Sequence, residues 1–369
     1  MNWYLFPGCN HLSLTVCLAS ALSVSADPAL DDALKQVSQN CPQSYPEKVI
    51  ALPESTEVTK MKSAELLKLL SNWNPAVRSS AASALGSRGE SVDSQLRQGT
   101  QSDNWMVRAG TTSALTARLK KKLDDWKKIH PEIKNYREAH ARIKENAKLE
   151  KVFVKLAKDP QLEVRAQALK GLSLLAPQIP EAIQAVLHLC TDADPYVAQD
   201  AMMILHKQFS GSALKQEGVV DVLKKALKSP LPRGRGSVVN LITRMNEKDQ
   251  RKFIPDLLAH LDWTPNRDTM FGAGGQVEAV KILHKLRVKE LIPRIPKLMN
   301  KVVRGTSLVE PCLEAAKSFG KDAKVILPQL TELVLIMKPT ERELNGNRGA
   351  DVKRRYDLLI ETVKFLQSA

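Results

Sequence analysis

The stretch Asn74-Pro75-Ala76-Val77-Arg78, running on through Ala81, Ala82 and Ala84 to Leu85-Gly86, decides the fold because the chain repeats it. Asp103-Asn104-Trp105-Met106-Val107-Arg108 leads into Ser113-Ala114-Leu115. Asp159-Pro160-Gln161-Leu162-Glu163-Val164-Arg165 leads into Ala168-Leu169-Lys170-Gly171-Leu172, and Asp194-Pro195-Tyr196-Val197-Ala198 into Ala201-Met202-Met203-Ile204-Leu205. The Asp or Asn side chain can cap a helix start, and Pro just inside that start lacks only a donor the helix would leave orphaned. Ala81, Ala84 and Leu85 follow Val77 at i+4, i+7 and i+8, so they share an apolar stripe whose small members permit close packing. A unit recurring at this length means a stacked array, in which each unit buries its apolar face only against its neighbours.

A first helix precedes each phrase: Ser63 to Leu70, with Ser63 as its cap, then Ser91 to Gln98, Lys148 to Ala157 and Pro180 to Cys190. Apolar residues recur at three and four rather than two, which excludes a strand-rich fold. The expected class is therefore all-α: a solenoid of about eight stacked antiparallel helix pairs over residues 63–369. The repeat valines step by 30, 57 and 33 residues, and the doubled step marks a charged helical insertion at about 118–147. That insertion is expected to extend the second helix of the second unit. Residues 27–62 read as a short helix followed by a linker or cap containing Pro42, Pro46 and Pro53.

Residues 1–26 read as a cleavable secretory signal peptide. They carry no Lys, Arg, Asp or Glu, and Leu12 to Leu22 forms an apolar core. Val24-Ser25-Ala26 offers small residues where a signal peptidase would cut, leaving Asp27 first. The expected location is thus periplasmic or secreted. Of the cysteines that remain, Cys190 and Cys312 lie in apolar helical patterns and are expected to be buried as small hydrophobes. Three scattered cysteines make no disulfide framework.

The pattern Asp/Asn-Pro-x-Val-Arg-x-x-Ala-x-x-Ala-Leu-Gly resembles HEAT repeats, in particular the short kind found also in phycobilin lyases. Ile179-Pro180, Ile254-Pro255, Ile295-Pro296 and Leu327-Pro328, near the starts of first helices, agree with that family. The likeness covers about Ser63 to Ala369 and departs from the pattern at Ala198, where Arg is replaced. It implies a superhelical scaffold that binds a partner. Among HEAT-like proteins, alkylpurine DNA glycosylases offer an alternative nucleic-acid role, and bilin-lyase-like chaperones a lesser one.

No catalytic, metal or cofactor signature is present. There is no His-Glu pair, no His-Glu-x-x-His, no paired cysteines at zinc spacing and no Gly-x-Ser-x-Gly. The expectation is a non-enzymatic protein without cofactors. Charge says more. The formal net charge is +15, and from Thr116 onward 46 Lys/Arg stand against 30 Asp/Glu, whereas Asp27 to Leu115 is balanced. Such a field favours a protein with an acidic face or an anionic polymer, with nucleic acid as the weaker candidate.

The arginines fall into two groups. Arg78, Arg108 and Arg165 are expected to form a structural ladder, pairing with Asp or with carbonyls at the preceding repeat's turns. Arg233, Arg235, Arg267 and Arg348 sit in Gly-containing stretches read as long within-pair loops, and with Trp263 and Arg304 they are the candidate partner-binding residues. In a stack of helical pairs these loops emerge along one edge, so they are expected to be neighbours in space. Trp73, Trp105 and Trp263 all fall at such turns, either as lids or as an aromatic edge.

Overall fold

The computed structural model describes residues 58, 60–72, 74–88, 92–130, 132, 147–175, 179–263, 274–300 and 308–369. Residues 1–26, expected as a signal peptide, most of the 27–62 segment, Trp73, the distal part of the insertion, Arg267 and Arg304 lie outside the described residues. Ser55–Ala369 forms one compact unit.

Within it sixteen of the described helices fall into eight pairs, with the short helices Ser210–Ala213, Glu247–Arg251 and Glu341–Leu344 in the connections. The first pairs are α1 Ser63–Leu69 with α2 Pro75–Ser87, α3 Asp93–Gly99 with α4 Trp105–Ile129, and α5 Ala147–Leu156 with α6 Leu162–Leu172. Next come α7 Pro180–Leu189 with α8 Pro195–Ile204, α9 Val219–Ala226 with α10 Pro232–Ile242, and α11 Ile254–Asp262 with α12 Gln276–Lys285. The last two pairs are α13 Ile295–Asn300 with α14 Val309–Phe319, and α15 Leu327–Ile336 with α16 Gly349–Ser368. The even-numbered helices pack on one another in chain order from α2 to α16. The fold is an all-α solenoid of stacked antiparallel pairs.

One contiguous strip of buried residues runs from Val58 to Leu366 and is made mostly of Leu, Val, Ile and Ala. Val77, Val164 and Val197 are buried as the repeat requires, whereas Val107 is only half-buried. The glycine that closes the phrase has a packing reason: a Cβ on Gly86 would lie 2.6 Å from Ala117 Cβ and 2.9 Å from Ala114 O, so α2 and α4 approach through it. Cys190 and Cys312 are both buried in the core, where the apolar surroundings raise both thiols, Cys312 to about 12.

Helix starts depart from expectation at α1 and at α6, where Gln161 rather than Asp159 precedes the helix without a side-chain cap and Pro160 lies outside it. Ser63 is not the cap of α1. Lys62 occupies that position, its backbone N–H donating to Glu65 Oε2 at 2.9 Å. Ser63 Oγ is taken instead by Arg88 Nη1 at 2.9 Å. Elsewhere the Asx caps hold: Asn74, Asn104 and Asp194 accept from the backbone two residues on at 2.9 Å. The insertion does extend α4, which continues to Ile129.

A larger departure concerns 229–236. The Gly/Arg stretch is not a loop. Pro232 opens α10, and Gly234 and Gly236 lie inside that helix. Helical glycine costs about 1 kcal/mol relative to alanine, but here it creates room. A Cβ on Gly234 would meet Met202 Sδ at 2.9 Å, and on Gly236 it would meet the Gly274 backbone at 3.2 Å. Gly275, at φ +90, lies so close that a Cβ there would be 2.9 Å from Gly236 Cα. Changing Gly275 to Ala should therefore cost about 2 kcal/mol through backbone strain and overlap, read as a lower urea midpoint with unchanged slope.

Candidate partner-binding edge

The within-pair turns share a construction that begins with one polar side chain. Asn72, Ser102, Asp159, Asp192 and Ser229 each accept the backbone N–H two residues later, at 2.9 to 3.2 Å. This Asx or Ser turn aims the chain into the second helix and leaves the same residue's carbonyl facing back along it. An arginine six residues on then returns to that carbonyl. Arg78 Nη1 meets Asn72 O at 2.7 Å, Arg108 Nη1 meets Ser102 O at 2.8 Å, and Arg165 Nη1 meets Asp159 O at 3.0 Å.

The other side of the Arg108 and Arg165 guanidiniums looks to the following pair, not the preceding one. Arg108 donates Nε and Nη2 to the two oxygens of Asp159 at 2.7 and 3.0 Å. Arg165 does the same to Asp192 at 2.6 and 2.8 Å. Each carboxylate therefore shapes its own turn and holds the previous pair's arginine. Asp159 and Asp192 are 7% and 5% exposed, so these pairs are sheltered from solvent screening. Their hydrogen bonds to carboxylate raise both arginines above the ordinary guanidinium value. Arg78 meets a serine at the next turn and reaches instead to Glu163, at 2.6 and 2.7 Å, with Trp105 5.4 Å away. Arg78, Arg108 and Arg165 thus bond to acids of later pairs rather than to the preceding repeat's turns, and Trp105 packs against the core and its neighbour's arginine.

At the fourth pair both halves of the contact disappear together. Ala198 replaces the arginine, and the following turn opens with Ser229 rather than Asp. At the fifth the arginine returns. Arg235 stands six residues after Ser229, with Gly234 where the other units have valine. It is a ladder arginine on a helix, 9% exposed, rather than a free residue of a loop.

Its contacts nevertheless differ from the ladder's. The guanidinium is turned over: Nε, not Nη1, donates to Ser229 O at 2.5 Å. The next turn offers it the indole face of Trp263, 4.0 Å from Cζ to ring centroid, where Arg108 and Arg165 have carboxylates. Among the described residues no acid pairs with it. Burial then lowers Arg235 to about 10, the reverse of its paired counterparts, while leaving it cationic at neutral pH. His260 lies beside this stack, its ring 6.1 Å from that of Trp263 and nearly parallel to it. It is 1% exposed, its ring nitrogens are shut off from solvent, and the Gly274 backbone is their hydrogen-bonding neighbour. Burial first, and then the Arg235 charge, lowers it to about 4, with the Gly274 backbone pulling weakly the other way.

The structure thus joins Arg235 and Trp263, which sequence placed in separate loops, and adds His260, which sequence reasoning passed over. The one available signal was its position three residues before Trp263 on a helix. Arg233 and Arg348 are exposed, Arg233 in the first turn of α10 and Arg348 immediately before α16. Two dense basic positions are tied up by ion pairs, Arg294 to Asp262 at 2.8 Å and Lys289 to Asp322 at 2.9 Å. Lys281 and Lys285 form an exposed row on α12. Among the described residues no group of three His, Cys, Asp or Glu side chains is placed to hold a metal ion, and no helix is long and apolar enough to cross a membrane.

Removing Arg165 should leave a sheltered Asp192 carboxylate unpaired. Arg165→Met is expected to destabilise by about 3 kcal/mol, with a coupling of about 1 kcal/mol or more to Asp192→Asn in a double-mutant cycle. A second expectation concerns pH. His260 is depressed from 6.5 to about 4, so the unfolded chain binds the extra proton between those values. The stability it contributes is complete above pH 6.5 and falls as pH drops toward 4. His260→Gln should flatten that part of the stability–pH curve.

No family model matches the sequence, and no curated protein matches it. Among solved structures, that of the Escherichia coli protein YibA is similar at 15% identity and a TM-score of 0.48, over 89% of this chain and 99% of that one. A Kap95p structure with RanGDP matches at 15% identity and 0.48, over 92% of this chain and 43% of its own. Yeast importin-β (Kap95p) matches at 16% and 0.30, over 91% and 38%. The chain spans less than half the length of those two.

Proposed function

We propose that this chain is an exported, non-enzymatic HEAT-type scaffold whose later pairs hold an acidic protein. The observation that carries the reading is uneven neutralisation of the solenoid. In the second and third pairs the turn arginines are matched by carboxylates of the following turn, whereas the charge excess falls beyond Leu115. There, Lys281, Lys285 and Arg348 are exposed, and Arg235 is buried on an indole rather than on an acid. Such a surface steers and selects partners of opposite sign.

Protein is favoured over nucleic acid by what the aromatics are doing. Single-strand binding needs ring faces open for stacking along a phosphate track. Trp105 and Trp263 instead pack against Arg78 and Arg235. Carboxylates, by contrast, are the groups this turn architecture already receives. Export rests on the leader-like residues 1–26.

The test is capture from the exported fraction with the intact chain and with Lys281→Glu, Lys285→Glu, Arg348→Glu combined. Acidic proteins should be retained by the wild type at low salt and weakened about tenfold by the triple variant, with the two converging as salt rises toward about 1 M. Retention indifferent to both charge reversal and salt would remove the reading.

A further inference from the structure

The fifth turn of the solenoid is built like the second and third but lacks their carboxylate. A buried guanidinium normally has its full set of acceptors, because leaving one unpaired costs several kcal/mol. Arg235 spends Nε on Ser229 O and lays its face on Trp263. Stacking occupies the face of the guanidinium but none of its in-plane donors. Nη1 and Nη2, the end-on pair, have no acceptor among the described residues and are not shut off from solvent, so they are open to an incoming group. Nearby, His260 is almost wholly buried, with the Gly274 backbone as the hydrogen-bonding neighbour of its ring.

A third feature has the same sign. Leu231, the residue before α10, cannot cap the helix with a side chain as Asn74, Asn104 and Asp194 do, so the positive end of an 11-residue helix lies at the same place. Donors without acceptors, gathered at one turn, describe the binding half of an ion pair whose other half is elsewhere.

We propose that Arg235, Trp263 and His260 form a carboxylate-binding site, filled by an Asp or Glu side chain of the protein partner. The incoming carboxylate takes Nη1 and Nη2 end-on, and the partner residue thereby does in trans what Asp159 and Asp192 do in cis for Arg108 and Arg165. Trp263 fixes the plane of the guanidinium, and His260, its ring nearly parallel to the indole at 6.1 Å, packs against that stack. This deepens the scaffold reading and rests on it for the source of the carboxylate. The site itself can be tested without the partner.

The probe is acetate, compared with inorganic phosphate, at constant ionic strength balanced with chloride. Acetate should raise the melting temperature of the full chain saturably, by about 2 °C. Two variants should abolish that rise. Arg235→Gln removes the end-on donors, and Trp263→Glu supplies an internal carboxylate at the place where the second and third turns receive theirs. If Arg235→Gln does not fold, Trp263→Glu decides. Lys364→Glu, at an exposed position of α16 outside both the stack and the basic surface, should keep the response. The proposal is overturned if acetate gives no saturable rise, if the rise survives in a folded variant of either kind, or if phosphate binds and acetate does not. Acetate binding together with partner capture indifferent to the Lys281, Lys285 and Arg348 reversal would remove the scaffold reading and leave the site. Charge-sensitive capture without acetate binding would do the opposite.

Discussion

The arrangement depends on a guanidinium that enters the first turn of a second helix and bonds the carbonyl six residues behind it. That contact closes the within-pair turn from inside. It works only because a side-chain oxygen has already bent the chain, so that the carbonyl of Asn72, Ser102, Asp159 or Ser229 faces the helix it precedes. The guanidinium is planar and forked, so donors not used on its own turn point to the next one. Where Asp159 or Asp192 stands there, a single residue fixes both the geometry of one pair and its spacing from the neighbour. This is the nearest-neighbour term on which a solenoid's stability rests.

The same logic explains the irregularities. With Ala198 in the fourth pair, a buried acid at the fifth turn would be unpaired, and Ser229 keeps the turn without the charge. In the fifth pair, Gly234 and Gly236 let Met202 on one side and the Gly274–Gly275 backbone on the other come against α10. Arg235 is carried inward with them and meets Trp263. Among the described residues Arg235 is thus a turn arginine held in the edge without an acid partner, in the part of the chain that holds the charge excess. A second set of arginines stitches the opposite ends of the even helices: Arg118 bonds Arg88 O, Arg244 bonds Ser210 Oγ, and Arg287 reaches Ser318 O at 2.9 Å. Arginine here is first a structural residue, so a functional one is recognised by what it lacks.

Much of this was legible in the residues. Period, capping Asx, helical Pro and the Ala-rich stripe are local properties, and they determined the all-α class, the helix pairs and the places where second helices begin. The extended α4 followed from the doubled spacing. The buried Cys190 and Cys312 followed from their apolar helical neighbours.

What local reading could not reach was the fate of Ser229 to Gly236 and the partners of its arginines. Gly-Arg-Gly after two prolines has the composition of a loop. It is a helix because the surrounding backbones fill the space a Cβ would take, and that compensation comes from Met202 and Gly274, 32 and 40 residues from Gly234. The ladder's direction was likewise hidden, since an arginine's neighbours name several acids and only the stacking of pairs chooses among them. Sequence alone determined which elements form and how often they repeat. Tertiary structure decided which charges are satisfied, because pairing depends on distances across turns that the chain's local propensities do not encode.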